Sequence, residues 1–491
     1  MRHRKEKAEH EKEAKRLSWL KRLFLILLAI FLSLFVLAGV AKALFSLNII
    51  NVKNIVQTIG SNLPVDANGF TNFLVLGQGD DSHQGVDLTD TMMIASVDTK
   101  TKSVVMVSIP RDLYFTKTAK MGTGRVNGLY RDYKNYLQHR QGMSKNDASQ
   151  AAMKELATEL GDTFGVQIHR VVKVDFIGFQ QAVDAIGGID IEVPQAIHDT
   201  TYPGENYSYT TFAIEAGPHH LDGETALQYA RSRHSTSDFS RSARQQQIIA
   251  AIVTRAREKG VLTSPSTLTN LYKSISDNME TTMSLTELIG AAKLGMDIDR
   301  SRIITAQIND TNGQSTNASA PGGFLYTPPR ENFGGAFVLL PVAYHGLETW
   351  GAVRTFISLL LHNRETYLMK PRVDVLNAGA RSGLARALAG ELLRNGFELN
   401  ELRNAKIPDQ ETSSVIINTG SGALAASLLE KNLGLPTNDL PPPELDRTGL
   451  ADVTILLGKD YQYQTIPGFL KIRSTGASNS GSDLSSSGSG L

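Results

Sequence analysis

Residues 23–41 constrain this chain most: nineteen uncharged positions, mostly Leu, Ile, Phe, Val and Ala, directly follow a segment, residues 1–22, that holds nine Lys or Arg and four Glu. Such a run approaches the ~20 apolar residues that cross a bilayer as a helix, and Lys42 can snorkel so that the span extends to residue 45. The basic residues 1–22 are therefore expected in the cytoplasm, residues 23–45 in the membrane, and everything after them outside the cytoplasm. Ala41-Lys42-Ala43 has the small-x-small form of a cleavage site. The apolar run is longer than the roughly 7 to 15 residues of a signal-peptide core, so an uncleaved anchor is expected. Residues 46–69 lack a periodic pattern and read as a tether. The absence of Cys excludes disulfides, thiolate metal sites and Cys nucleophiles, and agrees with an extracytoplasmic placement. Lys+Arg 50 against Asp+Glu 49 leaves no global basic field, so nucleic acid is not an implied partner.

Beyond the tether the texture changes to short apolar runs. FLVLG (73–77), TMMIASVD (91–98) and SVVMVSI (103–109) read as strands of a buried sheet, the last two joined by a polar connection compatible with a hairpin. Residues 146–164 and 176–186 read as helices, and 169–175 and 188–193 as strands, an alternation that predicts an α/β sandwich. Residues 194–218 read as a long polar loop, 268–296 as helical, 336–343 as a strand and 349–361 as a helix. Residues 364–372 read as a linker into a smaller unit whose segments 373–379, 383–397, 414–420, 423–434 and 451–458 alternate in βαβαβ order. Residues 436–443 are Pro-rich, and residues 475–491 form a Ser/Gly tail that need not order.

Three stretches carry candidate chemistry. In LDGETALQYARSRHSTSDFSRSARQQQ (221–247), Arg231 and Arg233 share one side if the segment is extended, and Arg241, Arg244 and Gln245 share one face if the following apolar run is helical. Guanidinium forks suit phosphate oxygens, although structural salt bridges would use the same residues. QGDDSHQGVDLT (78–89) followed by Asp90 concentrates Asp80, Asp81 and Asp87 between two strands, a composition that fits a hard cation or a solvated acidic loop. Pro110-Arg111-Asp112 follows a strand directly, placing a cation and a carboxylate at a sheet end, where ligands of open α/β sheets collect. His219, His220 and His234 show no metal-ligand spacing, and no G-x-S-x-G elbow supports serine hydrolysis.

With these residues in hand, the chain resembles the LytR-CpsA-Psr family, bacterial membrane-anchored enzymes that attach glycopolymers to the cell wall. The resembling segments are NFLVLG (72–77), DLTDTMM (87–93), VSIPRDLY (107–114), RVNGLY (125–130), VDFIGF and VDAIGGIDIEVP (174–194), and the arginine-rich stretch (221–247). Residues 373–461 are similar to the accessory domain often found at the C-terminus of this family. The resemblance implies an α/β/α sandwich with a mixed central sheet over residues 70–365, followed by a small α/β domain over 372–461. It also implies a site for a polyprenyl-pyrophosphate-linked glycopolymer, presented from membrane lipid and transferred to peptidoglycan. In that site Mg²⁺ would lie on Asp90 with Asp80 or Asp81, Arg111, Arg231, Arg233 and Arg241 would act on the phosphates, and Gln245 and Arg244 would line the pocket. Asp90 or Asp112 would accept the hydroxyl proton of the attacking sugar. The lipid tail would need an apolar pocket between the sheet and the helices at 146–164 and 243–257. The chain departs from the family at two places: Leu88 stands two residues before Asp90 where an arginine is common, and the loop Gly77-Gln78-Gly79-Asp80-Asp81-Ser82 lacks the family's arginine. A non-catalytic wall-binding protein and a lipid-pyrophosphate hydrolase are the alternatives for the same cleft.

The anchor makes a direct prediction. A reporter fused after Gly69 is expected to be active only outside the cytoplasm, because the nine basic residues precede the apolar run. Cytoplasmic activity of the fusion would reverse the topology and remove the lipid-linked substrate with it.

Overall fold

The computed structural model describes residues 63–79, 87–204, 208–232, 238–260, 271–308, 323–342, 349–406, 408–438 and 451–463. The anchor, most of the tether, Asp80, Asp81, Arg233, His234 and the tail therefore lie outside the described residues. Among the described residues no helix is long and apolar enough to cross a membrane.

The chain builds a six-stranded mixed sheet from β1 (Phe70–Gln78), β2 (Thr89–Asp98), β3 (Ser103–Ser108), β4 (Arg170–Val174), β9 (Met279–Thr281) and β10 (Ile303–Gln307) in the order β9-β4-β1-β2-β3-β10. β1 to β3 form an antiparallel meander, while β4 runs parallel to β1 and β10 parallel to β3. Alternation along the meander explains the layers. Leu74, Leu76, Met92, Ile94, Val105 and Val107 face one core with the helices α1 (Val126–Gln141), α2 (Lys145–Phe164) and α7 (Gly351–His362). Met93, Val97, Val104 and Met106 face the other, against α5 (Asp238–Glu258) and α6 (Leu285–Met296). A mixed central sheet with helices on both faces is thus what the alternating pattern produces.

Several segments differ from the sequence expectation. Residues 194–218 contain a hairpin, β6 (Ile197–Pro203) and β7 (Tyr209–Ile214), and a further strand, β8 (Gly217–Leu221), paired with β5 (Ile189–Val193). Phe212 and Ile214 go into a second apolar cluster with Tyr202, which an overall polar composition conceals. The stretch expected as one helix over 268–296 is interrupted by β9, because Met279–Thr281 completes the sheet beside β4. The sequence pattern predicts neither α1 nor β10, and the expected 336–343 strand is short, Leu340–Pro341, paired with Leu325–Tyr326.

The expected linker 364–372 is instead a helix over most of its length, α8 (Arg364–Met369), and Arg364 is buried. Its guanidinium donates to the carbonyls of Ser96 at 2.9 Å and Ser103 at 3.0 Å, and to Ser96 Oγ at 2.7 Å, while stacking 4.3 Å from the Phe70 ring centroid. Burial lowers its pKa to about 10. From α8, Tyr367 reaches onward to donate to the Asn395 carbonyl at 2.8 Å. The second sheet, β12-β11-β15-β13-β14, consists of β11 (Arg372–Asn377), β12 (Glu398–Asn404), β13 (Ser414–Ile417), β14 (Thr437–Asn438) and β15 (Val453–Leu457). It corrects the βαβαβ expectation in two respects: β12 and β14 are additional, and β13 is antiparallel to β15. One cluster of buried residues runs from the main sheet through α7 and Tyr367 to this second sheet.

Arg364→Leu removes the buried guanidinium from which the Ser96 and Ser103 carbonyls and Ser96 Oγ accept, while the two carbonyls keep their bonds in the β2–β3 ladder. The expected loss of stability is about 2–4 kcal/mol, read as a lower urea midpoint. A midpoint equal to that of the parent protein would show that the guanidinium is dispensable to the fold.

Candidate functional site

Strand direction assembles the site. β1, β3, β4 and β10 all run one way and β2 runs against them, so Gln78, Ser108, Val174 and Gln307 end where Thr89 begins. The residues just past these ends share one edge of the sheet, the usual place for a ligand in an open α/β sheet.

Arg111 and Asp112 follow β3 after Pro110. Arg111 Nη1 donates to Asp90 Oδ2 at 3.2 Å, and its Nε lies 3.4 Å from Asp112 Oδ2. Asp112 is buried and also receives Arg125 Nη1 at 3.1 Å, so it orients two guanidiniums rather than facing solvent. Asp90 is the open carboxylate, its side chain 44% exposed. Its second oxygen receives Asn127 Nδ2 at 3.0 Å, and Asn127 stands in the first turn of α1, whose first turn holds no acidic residue. The positive end of that helix therefore points toward the Asp90–Arg111 pair. Lys134, on the same helix, holds Asp87 and so fixes the end of the acidic loop.

Arg231 reaches the edge from another direction. It ends α4 (Gly223–Arg231), which corrects the extended segment expected for it. Helix α3 (Phe176–Ala185) starts right after β4, and α4 packs against it in the opposite sense. Asp184, near the end of α3, accepts from Gly223 N at 2.7 Å, while Arg231 at the far end of α4 lies 4.2 Å from the Phe176 ring centroid. The packing requires glycine at 223, since a Cβ there would lie 2.4 Å from the Gln180 carbonyl oxygen. Arg231 Nη1 also donates to Tyr202 Oη at 3.2 Å. The Tyr202 hydroxyl is pushed up by burial, against the pull of Arg231, so it stays a neutral acceptor. Next to it, Asp199 is buried and accepts Ser232 Oγ at 2.8 Å.

Arg241, Arg244 and Gln245 lie on α5, as their spacing predicted, but the two arginines are buried. Arg244 donates to the Tyr229 carbonyl at 2.9 Å and to the Ser232 carbonyl, which binds the end of α4 to α5. Gln245 Nε2 lies 3.4 Å from the Ala230 carbonyl. The neighbouring Gln246 donates to Ser108 Oγ at 2.9 Å and the Ala306 carbonyl at 2.7 Å, fastening α5 to the ends of β3 and β10. Asn127, Phe176, Tyr202, Asp199 and Gln246 had no role in the sequence reading. Of these, Asn127 and Phe176 stood in segments that resemble the family, and the polar Tyr202 stretch offered no periodic signal.

Among the described residues this end of the sheet carries Arg111 with the open Asp90 carboxylate, Arg231 beside the ring that follows β4, and the start of α1, a set suited to an anion carrying several phosphate oxygens. Phe176→Leu is expected to weaken binding of inorganic pyrophosphate by roughly 3- to 30-fold through loss of the ring under Arg231. Titration calorimetry on the folded variant checks it, and unchanged affinity would reduce the ring to a space filler.

Comparison with known proteins bears on the same regions. A model described as the LytR_cpsA_psr family matches residues 43–323, and one described as LytR cell envelope-related transcriptional attenuator matches residues 370–461. The cell wall biosynthesis protein LcpA of Corynebacterium glutamicum is 27% identical over 400 residues, which cover 77% of this chain and 72% of that protein. The polyisoprenyl-teichoic acid–peptidoglycan teichoic acid transferase TagU of Oceanobacillus iheyensis is 27% identical over 301 residues, 58% of this chain and 82% of that protein. The crystal structure of B. subtilis TagV aligns with a TM-score of 0.42 at 22% identity, covering 60% of this chain and 98% of that one.

Proposed function

The chain belongs to the LytR_cpsA_psr family, its model spanning residues 43–323, and on that premise we propose that the chain is a phosphotransferase. It moves a glycopolymer from a polyprenyl-pyrophosphate carrier onto peptidoglycan, held at the outer face of the cell membrane by residues 23–45. The observation that carries the reading is that the Arg111–Asp90 pair, and Arg231 on the ring that follows β4, stand at the same end of the sheet, each held by its own partners. Relatives named as teichoic acid transferases and as a cell wall biosynthesis protein support the same class of reaction.

In this reading Arg111 and Arg231 grip the pyrophosphate from two sides, and their fixed guanidiniums stabilise the charge that grows on the bridging and leaving oxygens. A sugar hydroxyl of peptidoglycan attacks the glycosyl-bearing phosphorus. The new bond joins that oxygen to phosphorus, the bond from phosphorus to the bridging oxygen breaks, and polyprenyl phosphate leaves with the electron pair. Of the two carboxylates that were candidates for the hydroxyl proton, Asp90 is the exposed one and Asp112 is buried between arginines. Asp112 is accordingly a positioning residue for Arg111. Arg244 acts through Ser232 and the end of α4, and Arg241 is buried one turn before it. Arg233 is kept in the reading as a further phosphate ligand that follows Arg231 in sequence.

Mg²⁺ fits this edge. Among the described residues no group of three metal-ligating side chains occurs, yet Asp90 keeps an exposed carboxylate beside the place for phosphate, and Mg²⁺ takes one or two carboxylates plus phosphate oxygens. Asp90, with Asp80 or Asp81, would hold it. When bound it supplies Lewis-acid polarisation of a phosphoryl oxygen.

Release of polyprenyl phosphate from a lipid-linked polymer, measured with and without peptidoglycan fragments, separates transfer from hydrolysis and from simple binding. Arg231→Ala is expected to lower transfer by roughly 10²- to 10³-fold, the scale for one preorganised charge-stabilising donor. Asp90→Asn should regain part of its lost rate in excess Mg²⁺, and Arg231→Ala should not. Full wild-type activity in chelator, or an equal response of the two variants, would remove the metal from the reading.

A further inference from the structure

Residues 323–342 lie at and just past the end of the matched family segment, and they return to the site. Leu339 forms a parallel bridge with Leu113: Leu339 N donates to the Asp112 carbonyl and Tyr114 N to the Leu339 carbonyl, both at 2.9 Å. Phe337 stands two residues before that bridge, and Arg111 two residues before its partner Leu113, in the turn that Leu113 N closes on the Pro110 carbonyl at 3.1 Å. The bridge also fixes the flank. Successive residues of an extended strand address opposite edges, and here Asp112 and Tyr114 address Leu339 while the Leu113 carbonyl accepts Val126 N at 2.7 Å. Val126 leads to Asn127 and Asp90, so Leu339 meets residues 112–114 on the edge away from Asn127.

That flank is aromatic and open. Phe337 is 38% exposed, a large apolar ring beside a charged site rather than in a core. The Arg330 guanidinium sits 5.6 Å from its centroid, and Phe333 packs edge-on against Tyr114 at 4.9 Å, fixing the loop to the segment that carries Arg111. A solvent-facing ring next to a cation matches one ligand class well: a pyranose lays its C–H face on the ring while the guanidinium meets hydroxyl or carboxylate oxygens.

We propose that Phe337 and Arg330 form a saccharide-binding platform for the acceptor glycan, a proposal that rests on the transferase reading. The acceptor, rather than the donor polymer, is assigned by position. Phe176, against which Arg231 lies, follows β4, and Arg111 follows β3, roughly 14 Å away at three strand spacings. In this proposal the donor pyrophosphate lies between these arginines, and the platform segment joins the chain just past Arg111, at Asp112 to Tyr114, on the edge away from Asn127.

The test uses the full chain and a soluble tetrasaccharide of alternating N-acetylated amino sugars cut from peptidoglycan. Phe337→Leu and Arg330→Ala are each expected to raise the dissociation constant for this glycan about tenfold and to raise its KM in transfer by a similar factor. Phe337→Tyr should bind like the parent protein, because it keeps the ring face. The KM for the lipid-linked donor should not move. An unchanged dissociation constant in both variants overturns the platform, and so does a shift confined to the donor KM, which would make this flank part of the donor site. Failure of the wild type to release any polyprenyl phosphate overturns the transferase reading, and the glycan-binding measurement still decides whether the ring holds a saccharide.

Discussion

Asp112 is a buried carboxylate, and such a group stays in a fold only with cations beside it. Its two are Arg111 at 3.4 Å, its own neighbour, and Arg125 at 3.1 Å, thirteen residues on. Bringing Arg125 back requires the chain to double over, which it does through the short ribbon Tyr114–Phe115 and Gly124–Arg125. α1 then begins directly after Arg125, and that start delivers Asn127 to Asp90. The Asp112 backbone carbonyl takes Leu339 N and thereby seats the aromatic segment as well. Removing either arginine leaves the buried Asp112 carboxylate with one cation fewer, so the geometry around Arg111 depends on both.

The cations of the edge are held by three different kinds of partner, and the difference decides what each can do. Arg111 lies between carboxylates, so part of its charge is already answered. Among the described residues, Arg231 is held by two rings and a phenol hydroxyl, which orient a guanidinium without neutralising it. Arg244 faces carbonyls in a buried place, and burial pulls its pKa down from the usual arginine value. Arg231 is thus the cation with most charge left for an anion, while Arg244 stabilises the chain that presents it.

Much of the main sheet was legible because its residues alternate between two apolar faces, and an uninterrupted Val, Ile, Leu and Met texture has few other uses. α2, α3 and α5 were legible from periodicity, and the positions of Arg111 and Asp90 from the way strands end. Other features were hidden for identifiable reasons. β9 is a three-residue edge strand within an apparently helical stretch, and its pairing with β4 is a long-range choice. α1 has Tyr and Lys on its inner face, so its apolar stripe is weak, yet Tyr130 and Lys134 are buried there. The 364–372 stretch carries charges typical of a linker, and nothing local shows that Arg364 will find the carbonyls of Ser96 and Ser103.

Chemical inventory and order are readable along the chain: a charge-free run behind a basic segment, no thiols, carboxylates before β2, arginines after β3 and along 231–244, and motifs of one family in their proper succession. Which of those groups work together follows from long-range packing. Arg231 and Arg233 were grouped as neighbours of an extended segment, but Arg231 belongs to a helix end and takes its orientation from Phe176 and Tyr202, 55 and 29 residues away. Arg111 likewise depends on Arg125, Asn127 and Leu339, and Arg244 turns inward. The physical reason is that a guanidinium's direction is set by whatever ring, carboxylate or carbonyl meets it across the fold, and those contacts arise from strand order and helix packing, which no local spacing encodes.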